Sequence, residues 1–310
     1  MNFDLSTSTS PWYQAPITPS NTVDFDIPTQ GIYVGGAGDV SVVRHDGTAV
    51  LFVGVPAGSV LPVVARRVGV SGTSASGLVG LWGVELGPVW SGSAFSPLDL
   101  SPVLWLDASD TSTITESGGA VSQWDDKSGN GNDLTQGTAA AQPTTGTVTL
   151  NGLNVLDFGG NDSMETAVAD TLAQPFNVFL VVKADAVSFT RYIFDRTSTG
   201  TNRAFLLQSG ATNYTFNAGT SLNGGTPDTN AHILRVLGDG VSSLIDVDGT
   251  NVASGNAATT SLDLFRLGSA YTGSAFFEGA IAEVIATGTL TAGEIAATES
   301  YLANKWGITL

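Results

Sequence analysis

The chain of 310 residues contains no cysteine and only two histidines. The absence of cysteine excludes disulfides, thiolate catalysis and zinc sites with cysteine ligands. Cations are also few, because 11 Lys and Arg stand against 28 Asp and Glu, which gives a formal net charge of −17. A surface of this sign repels the phosphate backbone, so we expect no nucleic-acid partner.

Long apolar runs are missing as well. No stretch approaches the ~20 apolar residues that cross a bilayer, which predicts no membrane insertion. The opening residues, MNFDLSTSTSPWYQ, have neither the basic nor the apolar region of a secretory signal. The sequence therefore predicts a protein that is made in the cytoplasm.

Glycine is abundant, with 38 residues, and helical periodicity is almost absent. Short apolar runs separated by turn residues predict an all-β fold. We expect an extended N-terminal arm over 1–23, a small β-domain over 24–83, a linker over 84–97 and a larger β-domain over 98–310. The prolines of the first segment favour the extended arm, because proline fixes φ and removes a hydrogen-bond donor.

Residues 24–83 predict short strands that meet at glycine turns. Segments 39–44 and 48–53 flank Asp46-Gly47, a strong hairpin signal, and further strands are predicted over 60–68 and 78–82. A domain of only about sixty residues needs partners for its sheet edges.

The same block resembles a known group of proteins. The text ITPSNTVDFDIPTQGIYVGGAGDVSVV, continued to residue 82, resembles the spike-base proteins of tailed-phage heads and gene transfer agents. This resemblance implies a structural attachment role at a capsid vertex, within a homo-oligomer (pentamer or trimer). The capsid-attachment residues that we expect in the arm are Trp12, Tyr13 and Ile17, although the arm could also be a frayed terminus.

Residues 98–310 predict many further strands and one helix. Segment 176–183 is the most apolar and is predicted to lie centrally in a sheet, and segments 231–237 and 241–247 form a hairpin. The helix begins at Thr291, which forms a capping box with Glu294, and it ends at Gly307.

The run from Leu104 to Gln136 carries a second resemblance. Its motifs LWLDASD and WDDKSGNGN resemble the opening of laminin-G-like, concanavalin A-like modules common in phage structural proteins and bacterial surface proteins. The resemblance covers roughly residues 98–310. It implies a β-sandwich of the jelly-roll type, with the C-terminal helix covering one edge or end.

The loop after Trp124 contains no apolar side chain and must lie at the surface. Calcium prefers six to eight oxygen ligands, and related modules often hold it near a rim. The candidate calcium ligands are Asp107, Asp125, Asp126, Asn130 and Asp133. The alternative is a loop that its own Asx turns organise.

Aromatic side chains could stack on sugar rings in a module of this kind. The candidate glycan-binding residues are Trp124, Tyr192, Tyr214 and Tyr271. The alternative for each residue is packing in the core or at the rim of the sandwich. The fold favours glycan binding by analogy only.

Catalytic constellations are weak. Asp246 and Asp248 lie on one face of a strand, but Asp248 precedes a glycine and is typical of a turn. Of the two histidines, His45 precedes a hairpin turn and His232 is expected to be half-buried and hydrogen-bonded. We therefore predict that the chain is not an enzyme.

Together, these patterns predict a structural virion protein on the virion surface, a head spike or fibre type of capsid decoration. The N-terminal domain would bind capsid proteins, and the jelly roll would adhere to host cell-surface glycans. Three alternatives remain open: a tail-associated receptor-binding fibre protein, a glycan depolymerase on the same sandwich, and a purely structural capsid decoration.

Overall fold

The computed structural model describes residues 13–25, 28–44, 47–82, 95–166, 171–196, 203–263 and 265–310. The chain divides into two compact units, unit 1 over residues 1–94 and unit 2 over residues 95–310. Strands dominate both units, and the described residues include a single α-helix at the C-terminus. The predicted all-β fold class with one C-terminal helix is confirmed.

Unit 1 consists of short antiparallel strands in two small sheets. Its strands are β1 Tyr13–Pro16, β2 Gly31–Gly36, β3 Gly38–Val43, β4 Ala49–Val55, β5 Ser59–Leu61, β6 Arg67–Val68 and β7 Ser76–Trp82. The sheet orders are β1-β7-β2-β5 and β4-β3-β6. Ile32 and Val34 on β2 and Val40 and Val42 on β3 are fully buried, so alternate residues of both sheets form the core.

Part of the predicted arm belongs to the sheet of order β1-β7-β2-β5. Tyr13 opposes Trp82 across β1 and β7, and the backbone N–H of Ile17 donates to Leu78 at 2.8 Å. Ile17 is buried. Residues 13–17 therefore form a structural part of unit 1 instead of a free arm, while Trp12 lies outside the described residues.

The predicted strand over 60–68 is interrupted. β5 ends at Leu61 and β6 begins at Arg67. Pro62 follows β5 directly and has no N–H to donate to a ladder, which explains the break. The hairpin predicted at Asp46-Gly47 is confirmed by the pairing of Val43 with Ala49, although residues 45 and 46 lie outside the described ranges.

Unit 2 contains many more strands, most of them in one connected set of antiparallel pairs. Its strands are β8 Leu104–Asp107, β9 Ile114–Ser117, β10 Ala120–Trp124, β11 Leu134–Thr135, β12 Thr144–Leu150, β13 Leu153–Phe158, β14 Met164–Thr166, β15 Thr171–Leu172, β16 Phe176–Ala184, β17 Thr190–Asp195, β18 Ala204–Ser209, β19 Asn213–Ala218, β20 Ser221–Gly224, β21 Ala231–Gly238, β22 Ser243–Val247, β23 Thr250–Gly255, β24 Leu262–Asp263, β25 Arg266–Leu267 and β26 Gly279–Thr287. The helix α1 spans Ala292–Trp306.

Unit 2 is a β-sandwich, as predicted. In one layer β16 lies between β21 and β26, and β26 pairs on its other side with β8 and β13. In the facing layer β14, β25, β17, β18, β19 and β20 pair in that order. Trp124, Leu180 and Phe216 are among the fully buried side chains of the core between the layers.

The outer face of β16 and β26 is also buried, because α1 covers it. Phe179 and Ile285 on the strands share a second apolar core with Leu302 and Trp306 of the helix. As a result every residue of β26 is buried. The helix has the predicted capping box at its start and ends at Gly307, whose φ is 70°.

Candidate functional site

The polar loop after Trp124 is held by its own side chains. Asp126 Oδ1 accepts hydrogen bonds from the backbone N–H groups of Trp105 and Ser128, both at 2.9 Å. Its Oδ2 accepts from Ser128 Oγ at 2.6 Å and from the N–H of Asn132 at 3.1 Å. Asp133 Oδ1 in turn accepts from the N–H of Asp126 at 2.8 Å. The loop thus has the Asx-turn organisation that was the alternative to an ion site.

The remaining calcium candidates also have partners. Asn130 Nδ2 donates to the carbonyl of Pro102 at 2.9 Å, and Asp125 accepts from Gln123 at 2.7 Å. Within the described ranges, no three His, Asp or Glu side chains form a group that could hold a metal. Calcium binding here stays a prediction, and it would require several of these hydrogen bonds to be exchanged.

A buried carboxylate on β26, Glu283, is the centre of a polar network under α1. Its Oε1 accepts from Trp105 Nε1 at 2.8 Å and from the Tyr301 hydroxyl at 2.9 Å. Its Oε2 accepts from Lys305 Nζ at 2.8 Å and from Trp306 Nε1 at 2.7 Å. Burial raises the pKa of Glu283, and the adjacent Lys305 opposes that shift.

Asp107, predicted as a calcium ligand, belongs to the same network. Its Oδ1 lies 2.7 Å from Lys305 Nζ, and its Oδ2 lies 3.1 Å from Lys127 Nζ. Burial raises the pKa of Asp107, but hydrogen bonds from Lys305, Ser109 and Lys127 outweigh burial and leave it below the usual value. Lys127 also holds Asp110 at 2.8 Å.

Neither lysine of this network was predicted from the sequence. The sequence feature that could have indicated Lys127 is its position inside an acidic loop. Lys305 lies in the last turn of a helix whose docking face was visible only as an apolar pattern. The register of β8 and β26, which places Asp107 opposite Glu283, is what brings the acidic groups together.

A second cluster lies where β17, β18 and the chain after β25 meet. This arginine–aromatic cluster consists of Tyr192, Arg203, Phe205 and Tyr271. The Arg203 guanidinium lies 5.2, 4.6 and 4.5 Å from the ring centroids of Tyr192, Phe205 and Tyr271. Arg203 Nη2 also donates to the Tyr192 hydroxyl at 3.0 Å. Cation–π attraction therefore holds three rings around one cation.

Asp195 fixes the position of this cluster by binding both Arg203 and the backbone of Tyr271. It is fully buried at the end of β17 and forms an ion pair with Arg203. Its Oδ2 also accepts from the backbone N–H of Tyr271 at 2.9 Å. Burial raises the pKa of Asp195, while the N–H groups of Tyr271 and Arg196 and the charge of Arg203 oppose the shift.

The structure separates the four predicted glycan-binding residues into two pairs. Tyr192 and Tyr271 meet in the arginine–aromatic cluster, and each is only half-buried. Trp124 is 0% exposed and Tyr214 is 3% exposed, both in the sandwich core. The prediction is wrong for Trp124 and Tyr214, because a buried ring has no face to offer a sugar.

The carboxylates considered for catalysis have separate basic partners. Asp246 lies 2.5 Å from Arg235 Nη1, and Asp248 lies 2.7 Å from His232 Nδ1. Asp248 has a φ of 50°, as expected for the predicted turn. His232 is half-buried and hydrogen-bonded as predicted, with Asp228 3.0 Å from Nε2. His45 lies outside the described residues.

Exposed apolar side chains are concentrated in unit 1. Seven of the eleven large exposed hydrophobic residues in the described ranges lie there, and they are Val23, Tyr33, Leu51, Val53, Val60, Val64 and Val70. Tyr33 and Val60 oppose each other across β2 and β5, and Leu51 and Val53 are alternate residues of β4. Large exposed apolar side chains that neighbour one another on a sheet, as in these two pairs, are typical of a contact with another protein.

No family model and no curated protein matches this chain. Among solved structures, a chain in the capsid of a native GTA particle matches with 32% identity, covering 22% of this chain and 80% of that chain, with a TM-score of 0.21. A Trypanosoma rangeli sialidase matches with 14% identity over 73% of this chain and 36% of that chain, with a TM-score of 0.49. Domain 4 of AbnA, a GH43 extracellular arabinanase from Geobacillus stearothermophilus, matches with 15% identity over 64% of this chain and 97% of that domain, with a TM-score of 0.46.

These matches correct one prediction and support another in part. The prediction that the chain is not an enzyme is contradicted, because glycosidases are among the matched structures. At this identity and TM-score the likenesses assign no activity to this chain, which spans only 36% of the length of that sialidase. The matched structures also include a gene-transfer-agent capsid chain, from the class of particle whose spike-base proteins the N-terminal segment resembles in sequence. A helix long and apolar enough to cross a membrane does not occur in the described part of the chain.

Proposed function

We propose that this chain is a virion-surface protein that attaches to capsid proteins through unit 1 and binds host-surface carbohydrate through unit 2. The observation that carries the attachment is the exposed apolar surface of unit 1. Burying apolar side chains against a partner is favourable by about 25 cal/mol per Å². A capsid provides a permanent partner for such a surface.

The capsid-protein match supports this assignment. A share of 22% of this chain corresponds in size to segment 16–82, which carries the sequence resemblance to spike-base proteins. In unit 1 the sheet edges are β1 and β5 in one sheet and β4 and β6 in the other. Neighbouring copies in a homo-oligomer would cover such edges, and we propose a pentamer or trimer on that ground.

The arginine–aromatic cluster supports the carbohydrate-binding part of the proposal. Tyr192 and Tyr271 keep part of their side chains exposed beside Arg203. Buried Asp195 holds both the guanidinium and the backbone of Tyr271. Rings fixed in this way can stack on a sugar with little loss of side-chain entropy.

The attachment is tested with a pair of exposed valines. Val53 on β4 is 73% exposed in unit 1, and Val241 is 76% exposed in unit 2. Particles are produced with Val53→Lys or with Val241→Lys, and the chain that cosediments with purified particles is quantified. We expect Val53→Lys to lower the amount on particles at least tenfold, because a lysine ammonium must be desolvated at an apolar contact.

Val241→Lys makes the same chemical change on unit 2 and should leave particle association at the wild-type level. Equal association of both variants with the particle would contradict attachment through the apolar surface of unit 1. Circular dichroism of both purified variants verifies that each is folded.

A further inference from the structure

We propose that the side chains of Lys305 and Asp107 condense to an amide, an intramolecular cross-link between the last turn of α1 and the end of β8. The two residues are 198 positions apart in the sequence and form an ion pair in the structure. The bond would join the first strand of unit 2 to its C-terminal helix.

The reacting groups are already in contact. Lys305 Nζ lies 2.7 Å from Asp107 Oδ1, 2.8 Å from Glu283 Oε2 and 3.1 Å from the Tyr301 hydroxyl. Holding an amine and a carboxyl group in fixed contact replaces a bimolecular encounter with an intramolecular one. A slow condensation then has the whole lifetime of the folded protein in which to occur.

Water has little access to this contact. The side chains of Lys305, Asp107 and Glu283 are 16%, 7% and 0% exposed. The Lys305 ammonium also lies 5.0 Å from the centroid of the Trp306 ring. A poorly hydrated site disfavours hydrolysis of an amide that forms between the two groups, because little water reaches it.

Glu283 supplies the proton carrier that the condensation needs. The Lys305 ammonium first transfers one proton to the Asp107 carboxylate, which leaves a neutral amine and a neutral acid. Nζ then attacks Asp107 Cγ and forms the C–N bond, while Glu283 takes a second proton from Nζ. Glu283 returns this proton to the departing Oδ oxygen, the C–O bond breaks, and one water molecule leaves. Glu283 ends unchanged, and the amide and water balance the two starting groups.

The neighbouring groups are less suited to the same reaction. Lys127 lies 3.1 Å from Asp107 but shares its charge with Asp110 at 2.8 Å, and its side chain is 21% exposed. Glu283 itself is engaged by the indole N–H groups of Trp105 and Trp306 in addition to Lys305. Its conversion to an amide would cost those hydrogen bonds, so Asp107 is the acceptor.

The test is the mass of the purified full-length chain, measured under denaturing conditions that abolish ion pairs. We expect the wild type to be lighter than its sequence by one water molecule, and Lys305→Arg to show its full sequence mass. Lys127→Arg should still lose water. Asp107→Asn should lose one ammonia molecule instead and give the same cross-linked product mass as the wild type, because the same amide forms.

Tryptic peptide mapping locates the bond. The cross-link joins the peptide of residues 68–127 to residues 267–310, and cleavage after Lys305 is blocked. A wild type at its full sequence mass overturns the proposal. Loss of water that persists in Lys305→Arg also overturns it, because dehydration would then arise elsewhere, for example as a succinimide at an Asp-Gly pair such as Asp248-Gly249.

Discussion

Tyr271 is the residue on which carbohydrate binding by unit 2 can be tested most directly. It is half-exposed, its backbone is held by Asp195, and its ring lies beside Arg203. Tyr271→Ala removes the ring, and we expect affinity for a bound glycan to fall roughly tenfold, or about 1.4 kcal/mol.

The measurement is glycan-array binding of the full chain, followed by titration of the best ligand. Tyr271→Phe keeps the ring and should retain most of the affinity. Released reducing ends are assayed on the same glycans, so that hydrolysis is distinguished from binding alone. Unchanged affinity in Tyr271→Ala would exclude the arginine–aromatic cluster as the binding surface.

His232 links the stability of unit 2 to pH. The hydrogen bond to Asp248 raises the pKa of His232, burial opposes the shift, and Asp228 adds to it. A pKa raised above its unfolded value of 6.5 stabilises the fold fully below that pH, and the stabilisation is lost as pH rises through the folded pKa.

We therefore expect His232→Gln to cost more stability at about pH 5.5 than at about pH 8.5. Urea unfolding of the wild type and the variant at both pH values measures the two differences. A loss of stability that is the same at both would mean that His232 contributes as a neutral hydrogen-bonding group only.

At the scale of elements, the helix shows how far local sequence determines structure. Thr291 Oγ1 accepts from the N–H of Glu294 at 3.2 Å, and Glu294 Oε2 accepts from the N–H of Thr291 at 2.7 Å. We expect Thr291→Ala to lower the free energy of unfolding by about 1 kcal/mol, measured by urea denaturation. Thr291→Ser keeps the hydroxyl and should stay close to wild type; an equal loss in both would exclude the cap as the cause.

Such local signals explain which elements the sequence predicts correctly. The capping box, the hairpin at Gly47 and the apolar run that became β16 each depend on neighbouring residues, and the structure confirms all three. The side on which a strand residue points is harder to predict. The register shift between Tyr192 and Phe194, for example, changes which side chains face the core, and no sequence pattern marks it.

Contacts between segments that are distant in the sequence are harder still to predict. Trp124 and Tyr214 have the same composition signal as Tyr192 and Tyr271, but the sandwich buries the first pair and leaves the second at its surface. The network around Glu283 joins three parts of the chain through strand register and helix docking. Such a network becomes visible only in the tertiary structure, because each of its residues lies in a local sequence with no distinctive pattern.

For the whole molecule, the division into two compact units has a functional consequence. If unit 1 attaches the protein and unit 2 binds carbohydrate, each activity should respond to substitutions in its own unit alone. Apolar exposure is concentrated in the first unit, and the arginine–aromatic cluster lies in the second. Substitutions in different compact units have additive energies in general when their sites do not share partners.

We accordingly expect Val53→Lys to lower particle association at least tenfold while glycan affinity stays within about twofold of wild type. Tyr271→Ala should do the reverse. Cosedimentation with particles and glycan titration are measured on both single variants and on the double variant, which should combine the two defects without further loss. If Val53→Lys also weakens glycan binding, assembly on the particle is part of the binding mechanism. In that case several copies must act together, because multivalent attachment to a surface raises avidity without any new contact.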